Sequence, residues 1–201
     1  MQLRNDENRF GLIAVSFHWL VALLFIAMVA IGLAMTNLPL THPLTFPLYQ
    51  LHKSIGATIF VLVALRLAWR LAGPVPPLPA EMPGWERRAA QLTHWGLYAL
   101  LLLLPLVGWV VVSASPLGIP TMLYGVIKLP HIGFIAASPD KEAIGKVAST
   151  VHVTLAWSAV VLVTLHAGAA LRHHFWLKDG ILTRMLPSRA LFLRGHDTKD
   201  G

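Results

Sequence analysis

Apolar residues are gathered into four long stretches, separated by polar or proline-rich segments. The stretches cover about 12–35, 52–72, 93–113 and 149–171. Each provides the roughly 20 residues that a helix needs to cross the hydrocarbon core of a bilayer. The first stretch is too long for the apolar region of a signal peptide and has no clear A-x-A cleavage site. The pattern therefore predicts four transmembrane helices.

The segments between the stretches are polar, rich in proline, or both. The run G-P-V-P-P-L-P follows the second stretch and cannot be helical. Pro105 lies inside the third stretch and predicts a kink there. The longest link, 114–148, is expected to contain an interfacial helix. These features favour an all-α fold, an integral membrane four-helix bundle in which residues 1–201 form a single domain.

Composition supports a membrane protein and excludes several kinds of site. Of the 201 residues, 56% are hydrophobic and 12% are charged, whereas soluble domains carry about 25% charged residues. Cysteine is absent, which excludes disulfides, thiolate-bound zinc, iron–sulfur clusters held by cysteine and covalent haem attachment. The net charge is +7. Because the basic residues flank the apolar stretches, they indicate a membrane surface and not nucleic acid.

The basic residues also predict the orientation of the helices. Cytoplasmic loops carry an excess of lysine and arginine. With alternating helices, twelve basic residues fall on one side and four on the other. The larger group is Arg4, Arg9, Arg66, Arg70, Arg87, Arg88, Arg172, Lys178, Arg184, Arg189, Arg194 and Lys199. The smaller group is Lys53, Lys128, Lys141 and Lys146. Both termini are therefore expected to be cytoplasmic, with a cytoplasmic tail over 172–201.

Four of the histidines in or at the edge of the predicted helices form a pattern: His18, His52, His152 and His166. An ionisable residue at membrane depth is a functional hypothesis, because the bilayer offers it no partner. His152 and His166 are fourteen residues apart, about 21 Å along a helix and on the same face. The alternation of helix direction pairs His18 with His166 and His52 with His152. We therefore expect two bis-histidine sites, one in each leaflet.

Haem iron is the metal that suits two facing imidazoles. A bare divalent ion usually requires four ligands, often including carboxylates, and no Asp or Glu lies within the four stretches. Two imidazoles fill the axial positions of a haem. A small residue follows each histidine by one turn, which leaves space for a macrocycle: Ala22, Gly56, Ala156 and Ala170. The alternative is a non-redox metal transporter, which the missing carboxylates and the absence of broken inverted repeats disfavour.

The remaining histidines and the tryptophans have simpler interpretations. His94 is expected to be a hydrogen-bonded residue at the membrane interface. His42, His131 and His196 are expected in loops or in the tail. The tryptophans near the predicted helix ends form an aromatic belt of the kind found at membrane interfaces: Trp19, Trp95, Trp109, Trp157 and Trp176.

Several motifs around these histidines resemble one known family. They are S-F-H-W-L at His18, Q-L-H-K-S-I-G at His52, V-H-V-T-L-A at His152 and L-H-A-G-A-A-L-R-H-H-F-W-L-K-D-G-I-L-T-R-M-L-P from His166. R-L-A-W-R-L followed by P-x-P-P adds to them. In their order and spacing they resemble the bacterial cytochrome b561 family of small di-haem membrane proteins. The resemblance covers nearly the whole chain and is weakest in 114–148 and after Pro187.

The resemblance implies a four-helix bundle in the bacterial inner membrane with two non-covalent b-type haems. The four histidines that match the family's ligands are His18, His52, His152 and His166. Some members oxidise superoxide and reduce ubiquinone, and others are electron-transfer subunits of partner enzymes. We therefore expect an oxidoreductase that transfers electrons from superoxide to ubiquinone. The alternative is an anchor subunit that relays electrons between a redox partner protein, docked on 114–148, and quinone.

Substrate contacts are expected at both ends of the bundle. Lys53, beside His52, is the candidate for steering an anionic donor, with a solvated surface lysine as the alternative. His173, His174 and Lys178 are candidate contacts for quinone or haem propionates, with snorkelling anchors as the alternative. Three arginines could bind haem propionates or lipid phosphates, and lipid anchoring is the preferred interpretation: Arg66, Arg70 and Arg172.

Overall fold

The computed structural model describes residues 2–7 and 9–186. Four long helices dominate it: α1 (Leu12–Asn37), α2 (Thr45–Ala72), α3 (Gly84–Ser113) and α5 (Lys141–Arg172). Each predicted stretch lies within one of these helices, and all four helices are long and apolar enough to cross a membrane. The predicted fold class, an all-α membrane four-helix bundle, is confirmed.

Proline and glycine mark the helix ends as their backbone chemistry requires. Pro47 lies in the first turn of α2, where its missing N–H costs no helical hydrogen bond. Gly73 ends α2 in an extended conformation directly before Pro74. Pro83 precedes the first residue of α3. Pro105 lies inside α3 without ending it.

The helices pack in chain order, so that α1 contacts α2, α2 contacts α3 and α3 contacts α5. The buried core lies between α1 and α2, where Val21 meets Ile55, Ile59 and Val63. In the most apolar 18-residue window of each long helix, at most 22% of the residues are buried. Most apolar side chains therefore face outward, and lipid must cover them.

The link between α3 and α5 contains a β-hairpin that the sequence pattern did not predict. Strands β1 (Thr121–Leu123) and β2 (Ile127–Leu129) are antiparallel. Tyr124 and Gly125 form the turn with φ of 51° and 74°, as a type I′ turn requires. The helix in this link, α4 (Gly133–Ala136), is only four residues long.

The hairpin is attached to one face of α2 by side chains spaced one turn apart. The Met122 N–H donates to Gln50 Oε1 (3.1 Å), and the Tyr124 N–H donates to Ser54 Oγ (2.9 Å). The Tyr124 and Thr58 hydroxyl groups share a hydrogen bond of 2.7 Å. These contacts cover the end of the bundle that contains His52, which we name the hairpin end.

Both described chain ends lie at the opposite end, which we name the terminal end. Trp19 Nε1 donates to the Met185 carbonyl (2.6 Å), and Arg184 Nη1 donates to the Pro77 carbonyl (2.6 Å). The C-terminal segment is thus held against α1 and the proline-rich link. The side of the membrane that this end faces stays a prediction. Four residues of the sequence analysis lie outside the described residues: Arg189, Arg194, His196 and Lys199.

Candidate functional site

At the hairpin end, α2 and α5 bring the rings of His52 and His152 close together. The ring centroids are 6.3 Å apart, and the planes are inclined by 67°. Nδ1 of each ring is buried and has no hydrogen-bond partner of normal geometry among the described residues, although the Leu104 carbonyl group lies beside His152. Buried polar atoms are usually paired. The described residues therefore give these two rings few partners, as expected where a bound group is needed to fix them.

At the terminal end, α1 and α5 bring His18 and His166 together. Their ring centroids are 6.2 Å apart, with planes inclined by 74°. His94 of α3 also belongs to this cluster, because its ring centroid lies 5.3 Å from that of His166. The interface position expected for His94 stays a prediction. A third histidine thus lies beside the terminal-end pair.

The separation of the paired rings leaves room for one metal ion bound between the two imidazoles. With about 2 Å for each metal–nitrogen bond, imidazoles on opposite sides of a metal have ring centroids about 6.3 Å apart. The observed values of 6.2 and 6.3 Å match this separation. No group of three or more metal-ligating side chains occurs among residues 2–7 and 9–186. The donor sets thus suit haem, which supplies its own equatorial nitrogens, better than a bare ion.

Two glycines give the hairpin-end rings their space. A Cβ added at Gly108 would lie 3.2 Å from His152 Cε1, and one added at Gly32 would lie 3.4 Å from His52 Cε1. The small residues singled out from the sequence were different ones, and of these Gly56 lies against Met28. Glycine also serves ordinary helix packing, so the sequence offers no signal that separates Gly32 and Gly108.

Arg66 makes contacts inside the bundle at the terminal end. Its Nε donates to the Tyr98 hydroxyl (3.1 Å), and its Nη1 donates to the Ala14 carbonyl (3.3 Å). Its charge also lies within electrostatic reach of His18 and His166. Arg66 therefore lies beside the histidine pair of the terminal end. Arg70, one turn further along α2, lies 6.0 Å from the Trp95 ring centroid and so makes a cation–π contact.

His173, just beyond α5, is surrounded by charged groups. Its Nδ1 is hydrogen bonded to Asp179 Oδ2, and its Nε2 lies 3.8 Å from Glu86 Oε2. Arg172 Nη1 donates to Glu86 Oε1 (3.1 Å). We name these four residues the His173 cluster: Glu86, Arg172, His173 and Asp179. Sequence reasoning selected His173 but missed Glu86 and Asp179, which look like ordinary charges at the end of a transmembrane helix.

The other two candidates in this segment are separated from His173. The His174 ring packs against Phe175, with centroids 4.9 Å apart. Lys178 has a left-handed backbone conformation with φ of 53°.

At the hairpin end, Lys53 is partly buried beside His52, and Lys128 is exposed on β2. Lys146 forms an exposed ion pair with Glu142 (3.1 Å). The lysines of the smaller basic group thus collect at the hairpin end.

Comparison with known proteins gives a consistent family. The family model described as prokaryotic cytochrome b561 matches residues 9–188. Cytochrome b561 homolog 2 of Escherichia coli (strain K12) is 37% identical over 187 residues, covering 92% of this chain and 95% of the relative. Cytochrome b561 homolog 1 of the same organism is 31% identical, covering 90% and 99%. A probable superoxide oxidase CybB of Yersinia pestis is 29% identical, covering 91% and 98%.

Proposed function

The chain belongs to the prokaryotic cytochrome b561 family, and from that premise we propose that it is a di-haem oxidoreductase that oxidises superoxide and reduces ubiquinone. Family membership implies b-type haem binding and electron transfer in a multi-pass bacterial membrane protein. The number of haems, the electron donor, the electron acceptor and a location in the inner membrane are our proposals. The observation that carries the two haems is the presence of two imidazole pairs at opposite ends of one bundle.

The ligand assignment follows from these pairs. His18 and His166 hold one haem at the terminal end, and His52 and His152 hold the other at the hairpin end. A b-type haem, when bound, supplies reversible one-electron transfer at its iron. With two protein imidazoles holding it, such a haem would favour electron transfer over oxygen binding. Nδ1 of each ligand remains free for a backbone carbonyl, which fixes the ring orientation and tunes the metal; the Leu104 carbonyl group beside His152 is suited to this role.

Superoxide is proposed as the donor because one relative is named a probable superoxide oxidase. The lysines at the hairpin end support this choice. Positive charge around an entrance attracts anions and raises their rate of association. Lys53 lies next to His52 in the sequence and is partly buried, so it is the best placed of these lysines to steer an anionic donor toward the hairpin-end pair.

Ubiquinone is proposed as the acceptor at the terminal end. Candidate contacts to quinone or to haem propionates are His173, His174 and Lys178. Arg66 and Arg70 carry the positive charge that propionates or lipid phosphates prefer. The outward-facing apolar residues of the bundle keep it in contact with lipid, from which a hydrophobic quinone would enter.

A relay subunit is the second candidate function. In this reading a redox partner protein would dock at the hairpin end and replace superoxide as donor. Val126 in the hairpin and Phe134 in α4 favour it, because each is 80% exposed and apolar residues are common in docking surfaces.

The deciding experiment combines purified haem-loaded protein with an enzymatic source of superoxide and a short-chain ubiquinone. We expect quinol to form only when superoxide and protein are both present. Lys53→Gln should slow the reaction by up to about tenfold at low salt, with less difference at high salt. Lys146→Gln is the matched control, because Lys146 is exposed and already paired with Glu142. Absence of superoxide-dependent quinol formation would favour the relay function.

A further inference from the structure

The β-hairpin in the link between α3 and α5 runs along α2 toward the middle of the bundle. At its base, Gln50 Nε2 donates to the Pro120 carbonyl (2.9 Å). At its tip, the Tyr124 hydroxyl is hydrogen bonded to the Thr58 hydroxyl (2.7 Å). Gln50 and Thr58 are eight residues apart on one helix, which corresponds to about 12 Å along its axis. The hairpin therefore lies alongside the transmembrane helix and does not project away from it.

The depth of the tip follows from the charges on α2. Thr58 lies in a run of residues, 54–65, that contains no charged side chain and is bounded by Lys53 and Arg66. Because α2 is long and apolar enough to cross a membrane, this run is the part of the helix expected in the hydrocarbon core. Tyr124 makes two hydrogen bonds to the run, one through its N–H and one through its hydroxyl group. The tip of the hairpin is therefore level with the hydrocarbon part of α2.

The face of α2 that carries the hairpin changes character where the hairpin ends. Residues that follow one another by about one turn along this face are polar beneath the hairpin and apolar beyond its tip. The polar members are Gln50, Ser54 and Thr58, and the apolar members are Val61 and Leu65. Both apolar members are exposed in the bundle, and on a transmembrane helix lipid covers such residues. The hairpin tip is thus continuous with a lipid-facing surface.

Hydrogen bonds to α2 satisfy much of the hairpin backbone. In the bilayer core, N–H and C=O groups need partners within the protein. Gln50 and Ser54 accept the outward N–H groups of β1 and of the turn. Lys128 lies opposite Met122 in the ladder, and because the Met122 N–H is directed at α2, the backbone groups of Lys128 lie on the free edge of β2. This edge is short, since β2 has three residues, and the Lys128 side chain can carry its charge back to the headgroups.

The side chains at the tip are apolar and are not covered by protein. Val126 is 80% exposed and Ile127 is 63% exposed. The hydroxyl group of Tyr124, the polar side chain of the turn, is used in the bond to Thr58. In water, these two neighbouring apolar residues would forgo the stabilisation that comes from burial of apolar surface, whereas acyl chains would cover them. Their chemistry therefore matches lipid better than water.

We propose that the hairpin is inserted in the membrane, with Val126 and Ile127 packed against lipid acyl chains beside α2. The hairpin thereby differs from a water-exposed loop between two transmembrane helices. It covers the face of α2 next to His52 and presents its apolar tip to lipid and not to a soluble protein. This inference depends on the membrane-spanning position of α2 and is independent of the electron donor and acceptor proposed above.

Because the chain contains no cysteine, single-cysteine labelling tests the position of the tip directly. Val126→Cys and Ile127→Cys are each prepared as haem-loaded protein in lipid nanodiscs that hold one chain, so that both membrane faces are open to water and no second copy covers the tip. The probe is a charged, water-soluble maleimide. We expect both cysteines to react at least about tenfold more slowly than Ala137→Cys, because apolar surroundings suppress the reactive thiolate.

Two variants bracket the measurement. Ala137→Cys is the water control, because Ala137 is exposed in the same link and lies beyond the end of α3, and Val61→Cys is the lipid control on α2. Haem content should stay at the wild-type value in all four variants. Reaction of Val126→Cys and Ile127→Cys as fast as that of Ala137→Cys would overturn the proposal and would leave the tip free for a docked protein, as the relay function requires.

A second readout uses the unaltered protein and needs no substitution. Nanodiscs are prepared with a phosphatidylcholine that carries a photoactivatable group on its acyl chain, and the labelled peptides are identified by mass spectrometry. We expect labels on residues 121–129 as well as on the segment of α2 that contains Val61. Labelling of α2 without labelling of the hairpin would also overturn the proposal.

Discussion

At the scale of single residues, the chemistry depends on imidazole rings whose buried nitrogens have few hydrogen-bond partners in the protein. Leaving a buried polar group unpaired costs about 1–3 kcal/mol. Nδ1 of His52 and of His152 are both in this position among the described residues. A haem bound between the rings would use their other nitrogens and would fix the orientation of both rings. Rings with so few protein contacts are better explained by ligation than by a purely structural role.

Replacing one ligand should remove one haem and leave the other. His166→Ala should abolish the low-spin signal of the terminal-end haem, and His152→Ala should abolish that of the hairpin-end haem. In each case the haem content should fall from about two to about one per chain, because a bis-histidine site loses an axial ligand. The measurement is a reduced-minus-oxidised absorption spectrum with a haem-to-protein ratio.

Two other histidines serve as comparisons in this series. His94→Ala should keep both haem signals, since it leaves all four proposed ligands in place. His42→Ala, in the link between α1 and α2, should behave as wild type. Unchanged low-spin spectra of both haems in His166→Ala would show that the assignment of that ligand is wrong.

At the scale of elements, the site depends on how closely α3 and α5 approach each other. Gly108 lies where the His152 ring meets α3, and a Cβ there would come within 3.2 Å of Cε1. Such a contact is too tight to fit without movement of the ring. The glycine thus permits a helix–helix approach that any larger residue would disturb.

Gly108→Ala should perturb the hairpin-end haem selectively. Overpacking a close contact costs about 1–3 kcal/mol, and the most mobile group present is the His152 ring. We expect changed electron paramagnetic resonance g-values and a shifted midpoint potential for the hairpin-end haem, with the terminal-end haem unaffected. Gly168→Ala is the matched control, because a Cβ there meets nothing within 4 Å. Equal effects of the two substitutions on both haems would contradict this account.

At the scale of the whole molecule, the bundle is asymmetric in charge from end to end. Arginine-rich segments lie at the terminal end, and the four lysines Lys53, Lys128, Lys141 and Lys146 lie toward the hairpin end. Because positively charged segments are usually retained in the cytoplasm, this distribution predicts that the terminal end is cytoplasmic. The lysines lie at the end proposed for the anionic donor, and the His173 cluster lies at the other end.

The orientation can be measured with reporter fusions. Green fluorescent protein fused to the C-terminus should fluoresce, and alkaline phosphatase at the same position should be inactive, as expected for a cytoplasmic end. Fusions truncated after Gly118, just before the hairpin, should give the opposite result. An active phosphatase at the C-terminus would show that the orientation is the reverse of the predicted one, with the His173 cluster on the outer side.

Local patterns in the sequence were enough to give the four helices and the pairing of His18 with His166 and of His52 with His152. Apolar length and helical period are local properties, and alternation of helix direction follows from the number of spans. The packing of the helices sets which atoms meet across the bundle. It placed His94 beside His166, set Gly108 against His152, attached the hairpin to α2 and brought Glu86 to His173. These contacts join residues far apart in the chain, so their geometry depends on helix packing that no local pattern encodes.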